Sequence, residues 1–248
     1  MIQEIICMAT HDYQWQLTPF VYLLRKYWGR AIHIVYYCDK VIGDLPKCVE
    51  VRQVPLMKER GEEHWSFQRD FGAGFISILR ELSDSVVAVS MMDYWLVRPA
   101  NLDMIDGMAR YMEAHHNVVR TALGLVKGAD PWSRCIETWE GMDVMTCNPR
   151  NNFNAGIMTN AGLFNRELTL EIYRNTSVLE SEVMGWKVMQ EHPELMSVWV
   201  RDAIGMYDYA HTTISTERDK SLVMHIPSSE DKDAVKLMLP DHIRPQEV

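Results

Sequence analysis

Apolar residues in the first half of the chain fall into short continuous runs separated by stripes of helical spacing. Ile2 to Ala9 (I-Q-E-I-I-C-M-A), Ala31 to Cys38 and Ser85 to Met92 are such runs, and each reads as a strand. After the first run, Phe20, Leu23, Leu24, Tyr27 and Trp28 recur at i, i+3, i+4, i+7 and i+8, one face of a helix packed on a sheet. Thr18 followed by Pro19 predicts the start of that helix, with the Thr oxygen as cap and the fixed φ of Pro at the first position; Gly29 predicts its end. Cys48 to Val54 predicts a short third strand. Ser66 then caps a helix with Phe67, Phe71, Phe75, Ile78, Leu79 and Leu82 on one stripe. Asn101 caps another, carrying Leu102, Ile105, Met108 and Met112, and Asn117 to Leu123 predicts the next strand. The order β-α-β-β-α-β-α-β predicts an α/β fold with a mostly parallel sheet flanked by helices.

The second half is less periodic. Lys127 to Glu140, with Gly128 and Pro131, predicts a long loop or lid. Asp143 to Cys147, Ala155 to Thr159, Ser197 to Val200 and Leu222 to Ile226 suggest strands; Glu167 to Arg174 and Ser177 to Glu191 suggest helices. From Ser228 the chain is polar apart from Val235 to Leu239, which predicts a helix-containing tail that frays. No repeat or interdomain linker interrupts the 248 residues, so a single domain is expected: a binding half over about 1–125, a second half over about 126–227 and a tail over 228–248.

Ser85 to Met92 organises the rest. It is Val-rich, follows the turn pair Ser83-Asp84, and reads as a strand buried on both faces that ends in Asp93-Tyr94-Trp95. Ligands of open α/β sheets bind beyond the carboxyl ends of such strands. Asp12, Asp39 and Asp93 each follow a strand, so one sheet edge should carry all three. Each is either a ligand contact or an ordinary strand-end turn residue, and Asp39 leans to the second.

Net charge is −9, which disfavours broad polyanion binding without excluding a local basic groove. The five cysteines are odd in number and show no C-x-x-C pair, so free thiols in a reducing, cytoplasmic compartment are expected. No run approaches a membrane span, and no anchor is expected. Glycine-rich phosphate loops are absent, which disfavours a dinucleotide fold or P-loop, and G-x-S-x-G, H-E-x-x-H and paired zinc-ligand spacings are absent as well. On the Ser177 helix, Ser177-Val178-Leu179-Glu180 forms a capping box, which occupies Glu180 and leaves Glu182 without a local task.

The ordered set Thr10, Asp12, Tyr13, Trp15, Pro19, Phe20; Asp93-Tyr94-Trp95-Leu96 and Pro99; Phe164-Asn165-Arg166-Glu167-Leu168; and Glu180-Ser181-Glu182 resembles GT-A-fold glycosyltransferases of a small bacterial and phage-type group. The resemblance spans about residues 5–186. It implies a GT-A-like fold and transfer of a sugar, with inversion, from a nucleotide-sugar donor to an acceptor hydroxyl. It places Thr10, Asp12, Tyr13, Asp93, Tyr94 and Arg166 against the donor and Glu182 as the catalytic base. It also implies a Mn²⁺ or Mg²⁺ ion held by Asp93 and His211, with His225 a second candidate for the histidine. Arg98 and Arg120 are further phosphate candidates, with surface salt bridging as the ordinary alternative. One departure stands out: Met92 precedes Asp93 where many relatives carry a second acid, which leaves Asp93 either to bind the metal with water and phosphate or to bind the ribose instead.

A surface glycan and a hydroxymethylated pyrimidine of phage-type DNA are both expected acceptors, the second in a host cytoplasm and with a flipped base. A sugar-phosphate nucleotidyltransferase is the alternative enzyme, although Thr10 to Leu17 has no glycine to cover a triphosphate. A non-catalytic nucleotide-sugar-binding module is the third reading. Oligomeric state is not readable from the residues.

Overall fold

The Val-rich run is the fourth strand from one edge of a nine-stranded sheet, in a computed structural model that describes residues 1–54, 67–124, 134–146, 161–174, 191–201, 206–207, 209–211 and 226–239. At residues 12, 67–73, 173–174 and 209–211 it describes the backbone. The strands are β1 (Glu4–Met8), β2 (His33–Cys38), β3 (Val49–Gln53), β4 (Val86–Met91), β5 (Tyr94–Leu96), β6 (Val118–Ala122), β7 (Arg134–Trp139), β8 (Met142–Thr146), β9 (Gly162–Asn165), β10 (Met196–Val200) and β11 (Tyr209–His211). The helices are α1 (Leu17–Tyr27), α2 (Phe67–Glu81), α3 (Leu102–Ala114), α4 (Arg166–Arg174) and α5 (Ser229–Met238). The main sheet runs β3-β2-β1-β4-β9-β6-β10-β8-β7, and β5 pairs with β11 in a separate ribbon.

Period-two alternation divides the core into two layers. Ile5, Cys7, Ile34, Tyr36, Val86 and Ala88 face the layer of α1, α3 and β5. Ile6, Met8, Val35, Tyr37, Val87 and Val89 face the layer of α2 and α4. On the second face Phe75 of α2 meets Phe164 of β9 edge-on, centroids 5.6 Å apart at 77°, a geometry worth about 1 kcal/mol beyond its buried area. Side chains covered on both sides explain why these strands read as apolar runs rather than as alternating ones.

The sheet is mixed rather than mostly parallel. β1, β2, β3 and β4 are parallel, but β9 runs antiparallel between β4 and β6, and β8 is antiparallel to both β10 and β7. β9 opens on Gly162, where a Cβ would stand 3.0 Å from the Thr121 carbonyl and 3.1 Å from Arg120 Nε, so a side chain there would force its neighbours apart.

Three local expectations need correction. Thr18 is not the cap of the first helix: a 3-10 turn over His11–Gln16 leads straight into α1, the backbone is already helical at residue 16, and Thr18 lies within the first turn. Pro19 remains compatible, since first-turn N–H groups have no intrahelical acceptor. The predicted end holds: Gly29 has φ +83°.

The second correction concerns the loop expected over Lys127 to Glu140. Residues 134–139 of it form edge strand β7, joined to β8 through Glu140 and Gly141, with φ +48° and +81°. Positive φ at both positions is what a two-residue hairpin turn needs, and it strains Glu140. Arg110 compensates: its Nε and Nη2 donate to the two Glu140 oxygens at 3.0 and 2.5 Å.

The third correction concerns the first part of the tail, residues 228–239, where the expected helix is anchored. Ser228 caps α5 by accepting from Asp231 N (3.2 Å), and the Asp231 side chain is fully buried against α1. There it accepts from Lys26 Nζ at 2.7 Å, Tyr22 Oη at 3.2 Å and the Tyr27 hydroxyl. Asn101, in contrast, caps α3 as predicted, accepting from Met104 N at 3.2 Å. The strands suggested at 155–159 and 222–225, the helix at 177–190 and the Ser66 cap lie outside the described residues.

Candidate functional site

Parallel pairing of β1 with β2 and β4 brings their carboxyl ends to one edge, so the backbones of Asp12, Asp39 and Asp93 follow neighbouring strands there. Side chains of the flanking loops then cross-link that edge. Asp39 accepts from the His11 backbone N–H (2.8 Å) and faces His11 Nδ1 at 2.7 Å. Asp39 therefore acts as a brace for the 3-10 turn, the structural role toward which the sequence leaned. Gln14 makes a reciprocal amide pair with Ile42: its Oε1 accepts from Ile42 N at 2.8 Å, and its Nε2 donates to the Ile42 carbonyl. These bonds join the first loop to the loop after β2 and leave Tyr13 40% exposed at the edge, with Val41 and Ile42 also exposed. Thr10 is buried, and its carbonyl accepts from Tyr13 N at 3.0 Å, closing the turn.

Beyond β4 the chain turns through Met92 and Asp93 into β5. Met92 is 1% exposed and packs in the α1 layer. An ionised acid at that position would be desolvated, whereas the fold around it accommodates the sulfur. Asp93 is half-buried, with one carboxylate oxygen enclosed. The next residue, Tyr94, begins β5, and the antiparallel register sets it opposite His211, with Ala210 opposite Trp95 and Tyr209 opposite Leu96. Two residues far apart in sequence, Asp93 and His211, are thereby brought within one residue of a common register position. The His211 side chain and the Asp12 side chain lie outside the described residues.

Arg166 is not part of this edge. β9 pairs antiparallel with β4 through Val86↔Asn165, so Arg166 follows at the amino end of β4. Six residues of β4 at about 3.3 Å each separate it from Asp93 by roughly 20 Å. Its Nε donates to the Leu79 carbonyl at 2.8 Å, and its Nη1 pairs with Glu167. The rest of that sequence motif has structural work: Asn165 Oδ1 accepts from Leu168 N (3.1 Å), capping α4, and Phe164 fills the core. Arg166, expected with Asp93 in one donor site, thus stands at the opposite end of β4 from it. Arg120 is buried on β6 with its guanidinium 5.7 Å from the Phe164 ring centroid. Glu182 and His225 lie outside the described residues.

Sequence reasoning missed the residues that hold the edge together. Ser90, in the buried strand, has its Oγ 3.2 Å from the Tyr207 hydroxyl. The only advance signal was a hydroxyl inside an apolar run, since a buried hydroxyl requires a partner. Nothing in the sequence pointed to His11, Gln14 or Tyr207.

Chemically, the edge combines strand-end carboxylates with an exposed aromatic ring and a histidine register position. Asp93 supplies an oxygen donor of the kind that hard divalent cations take. Among the described residues no three His, Cys, Asp or Glu side chains converge as a metal cluster. Among the described residues, no helix is long and apolar enough to cross a membrane.

No protein-family model matches the chain, and no curated protein matches it in sequence. Solved structures do. S. aureus TarS superposes with a TM-score of 0.50 at 12% identity, covering 96% of this chain and 42% of that one. TarS 1–349 in complex with UDP gives 0.46 at 11% identity over 98% and 71% of the two chains. The CTP complex of CMP:2-keto-3-deoxy-manno-octonic acid synthetase gives 0.44 at 9% identity over 81% and 90%. Only the first of these scores bears on the fold, and the chain spans about two fifths of that TarS chain. At this identity the likeness is one of architecture: the mixed sheet flanked by helices is a GT-A-like domain.

Proposed function

We propose that the chain is a nucleotide-sugar-dependent glycosyltransferase whose donor lies across the carboxyl edge of β1, β2 and β4. One observation carries this: the β5–β11 register sets His211 opposite the residue that follows Asp93, at the edge where α/β sheets bind ligands. In this reading Thr10, Asp12 and Tyr13 receive the nucleoside. Tyr13 offers an exposed ring for a base, and carboxylates accept from base N–H or ribose hydroxyl groups. Asp93 and Tyr94 face the diphosphate end.

An acidic edge repels a diphosphate unless a cation stands between them, and Mn²⁺ or Mg²⁺ held by Asp93 and His211 would supply that neutralisation. Glu182 takes the proton from the acceptor hydroxyl as that oxygen attacks the anomeric carbon. The bond from this carbon to the diphosphate oxygen breaks, the electron pair leaves with the nucleoside diphosphate, and the sugar inverts.

A panel of nucleotide sugars, beginning with UDP-GlcNAc, with and without Mn²⁺ and with diphosphate release as readout, tests the proposal. Release requiring both donor and acceptor is expected; pyrophosphate release from a nucleoside triphosphate and a sugar phosphate would instead mark a nucleotidyltransferase. Glu182→Gln should remove at least 99% of turnover, by about two orders of magnitude or more, with donor affinity intact. Undiminished turnover sinks the base assignment. Acceptor class is read from the salt dependence of DNA binding: a steep negative slope favours a DNA acceptor, and none directs the search to glycans.

A further inference from the structure

A ribbon of two three-residue strands is not stable by itself, yet this one sets the position of His211. Something outside the ribbon must hold it. The described chain just before β11 offers Met206 and Tyr207, both buried. The Met206 carbonyl accepts from Asn101 N at 3.3 Å. The Tyr207 ring stands edge-on to Trp28, centroids 6.4 Å apart at 68°, and its hydroxyl lies 3.2 Å from Ser90 Oγ. Alternation along β4 directs Ser90 to the α1 layer, with Val86 and Ala88, into the core cluster that also contains Tyr207. Ser90 lies three residues before Asp93, and Tyr207 lies four before His211. One buried bond therefore ties together the two segments that carry the two candidate ligands.

We propose that Tyr207, through its hydroxyl bond to Ser90, is a positioning residue that holds β11 in register with β5 and so keeps His211 beside Asp93. The inference rests on the donor-site reading for its functional consequence, but its structural content does not. Tyr207→Phe keeps the ring against Trp28 and removes only the hydroxyl; Ser90→Ala removes the other partner. Both are compared with the wild-type chain by amide exchange at residues 94–96 and 209–211. Binding of the tightest of UDP, GDP, ADP and CDP is measured in parallel, with and without Mn²⁺.

Exchange across the ribbon should quicken about tenfold in either variant, and by less than the product of the two in the double variant, because both remove the shared bond while Ser90 Oγ also donates to the Met91 carbonyl at 3.4 Å. Mn²⁺-dependent nucleotide affinity should fall about fivefold, the effect of one net hydrogen bond. In a His211→Ala background Tyr207→Phe should have no further effect on affinity, whereas general loosening would still weaken binding. Unchanged exchange in Tyr207→Phe overturns the positioning role whatever the nucleotide data show. Faster exchange with unchanged affinity, in a wild type that binds nucleotide, overturns its link to the site. A wild type that binds none of the four nucleotides removes the donor-site reading and leaves the positioning role to be decided by exchange alone.

Discussion

The two edges of the main sheet use polar residues differently. At the amino edge, charges are matched within the protein. Arg30 forks onto Asp106 at 2.7 and 2.8 Å while also donating to the Ile2 carbonyl, and Asp106 accepts from Ile2 N. Glu4, His33, Glu50 and Arg52 form a chain of polar contacts across β1, β2 and β3, with His33 between the two glutamates and Arg52 paired to Glu50. At the carboxyl edge the bonds join one loop to another: His11 to Asp39, Gln14 to Ile42, Ser90 to Tyr207. The first arrangement fixes strand ends and completes itself; the second fixes loops and leaves a surface for something else. An open cleft of about 600 Å³ lies at the amino edge, lined by Glu4, Arg52, Glu81, Asp84 and Glu113 among others, far from Asp93. The parallel-sheet rule places ligands at the other end.

The strongest way to break this division is Asp93→Ala. If the carboxyl edge is the donor site, turnover should fall by about 100-fold or more, as for loss of a group that stabilises developing charge. The thermal midpoint should move little, because Asp93 is only half-buried. Diphosphate release and a melting curve measured on the same preparation decide it. Full activity in Asp93→Ala, or a collapse in stability, would assign the residue to the fold instead.

Much of the scaffold was readable in advance because burial writes a period into the residues. β1, β2, β4 and β6 are apolar runs since helices cover both faces, and the α1 stripe is the face that packs on them. β9 escaped because four residues, Gly-Leu-Phe-Asn, carry too short a pattern, and because its antiparallel insertion is a property of the assembled sheet. β7 was hidden by an edge strand's half-exposed composition. The site was less visible than the fold. Asp93 could be picked out by its position after a buried strand. The His211 pairing, the Gln14–Ile42 amide pair and the Tyr207 hydroxyl bond join residues 28 to 117 positions apart, and no local spacing encodes such contacts. The separation of Arg166 from Asp93 was not legible because the order of motifs along a chain does not reveal the strand direction that carries each one to its edge.

A smaller effect, on the opposite side of the division, is expected from Asp231→Asn. Burial alone would push this carboxyl up, but the bonds from Lys26 and Tyr27 outweigh that and hold it below the usual carboxylate range. A folded-state pKa below the unfolded one stabilises the protein at pH values above the unfolded pKa. That contribution is lost as pH falls through the folded value. Asp106 behaves alike, lowered chiefly by its bond from Arg30. Stability should therefore begin to fall below about pH 4. Asp231→Asn should cost about 2 kcal/mol at neutral pH and flatten the acid limb of the stability curve. Its nucleotide affinity should match wild type. An unchanged acid limb would mean that the α5 carboxylate contributes nothing net.

Arg166→Ala gives the smallest effect and the sharpest discrimination. By resemblance Arg166 belongs with the donor; by register it stands at the other end of β4, its Nε bonded to the Leu79 carbonyl near the end of α2. A cation on the last carbonyls of a helix offsets their unsatisfied acceptors and the negative end of the dipole. Removing it should cost about 1 kcal/mol, seen as a fall of roughly 2–4 °C in thermal midpoint for a domain of this size. Turnover and donor KM should stay at wild-type values. A raised donor KM with an unchanged midpoint would reverse the assignment, since a guanidinium held at the amino edge has no route to a phosphate at the carboxyl edge. That result would require β9 and β4 to pair in another register, and the division between a self-satisfied edge and a ligand edge would fall with it.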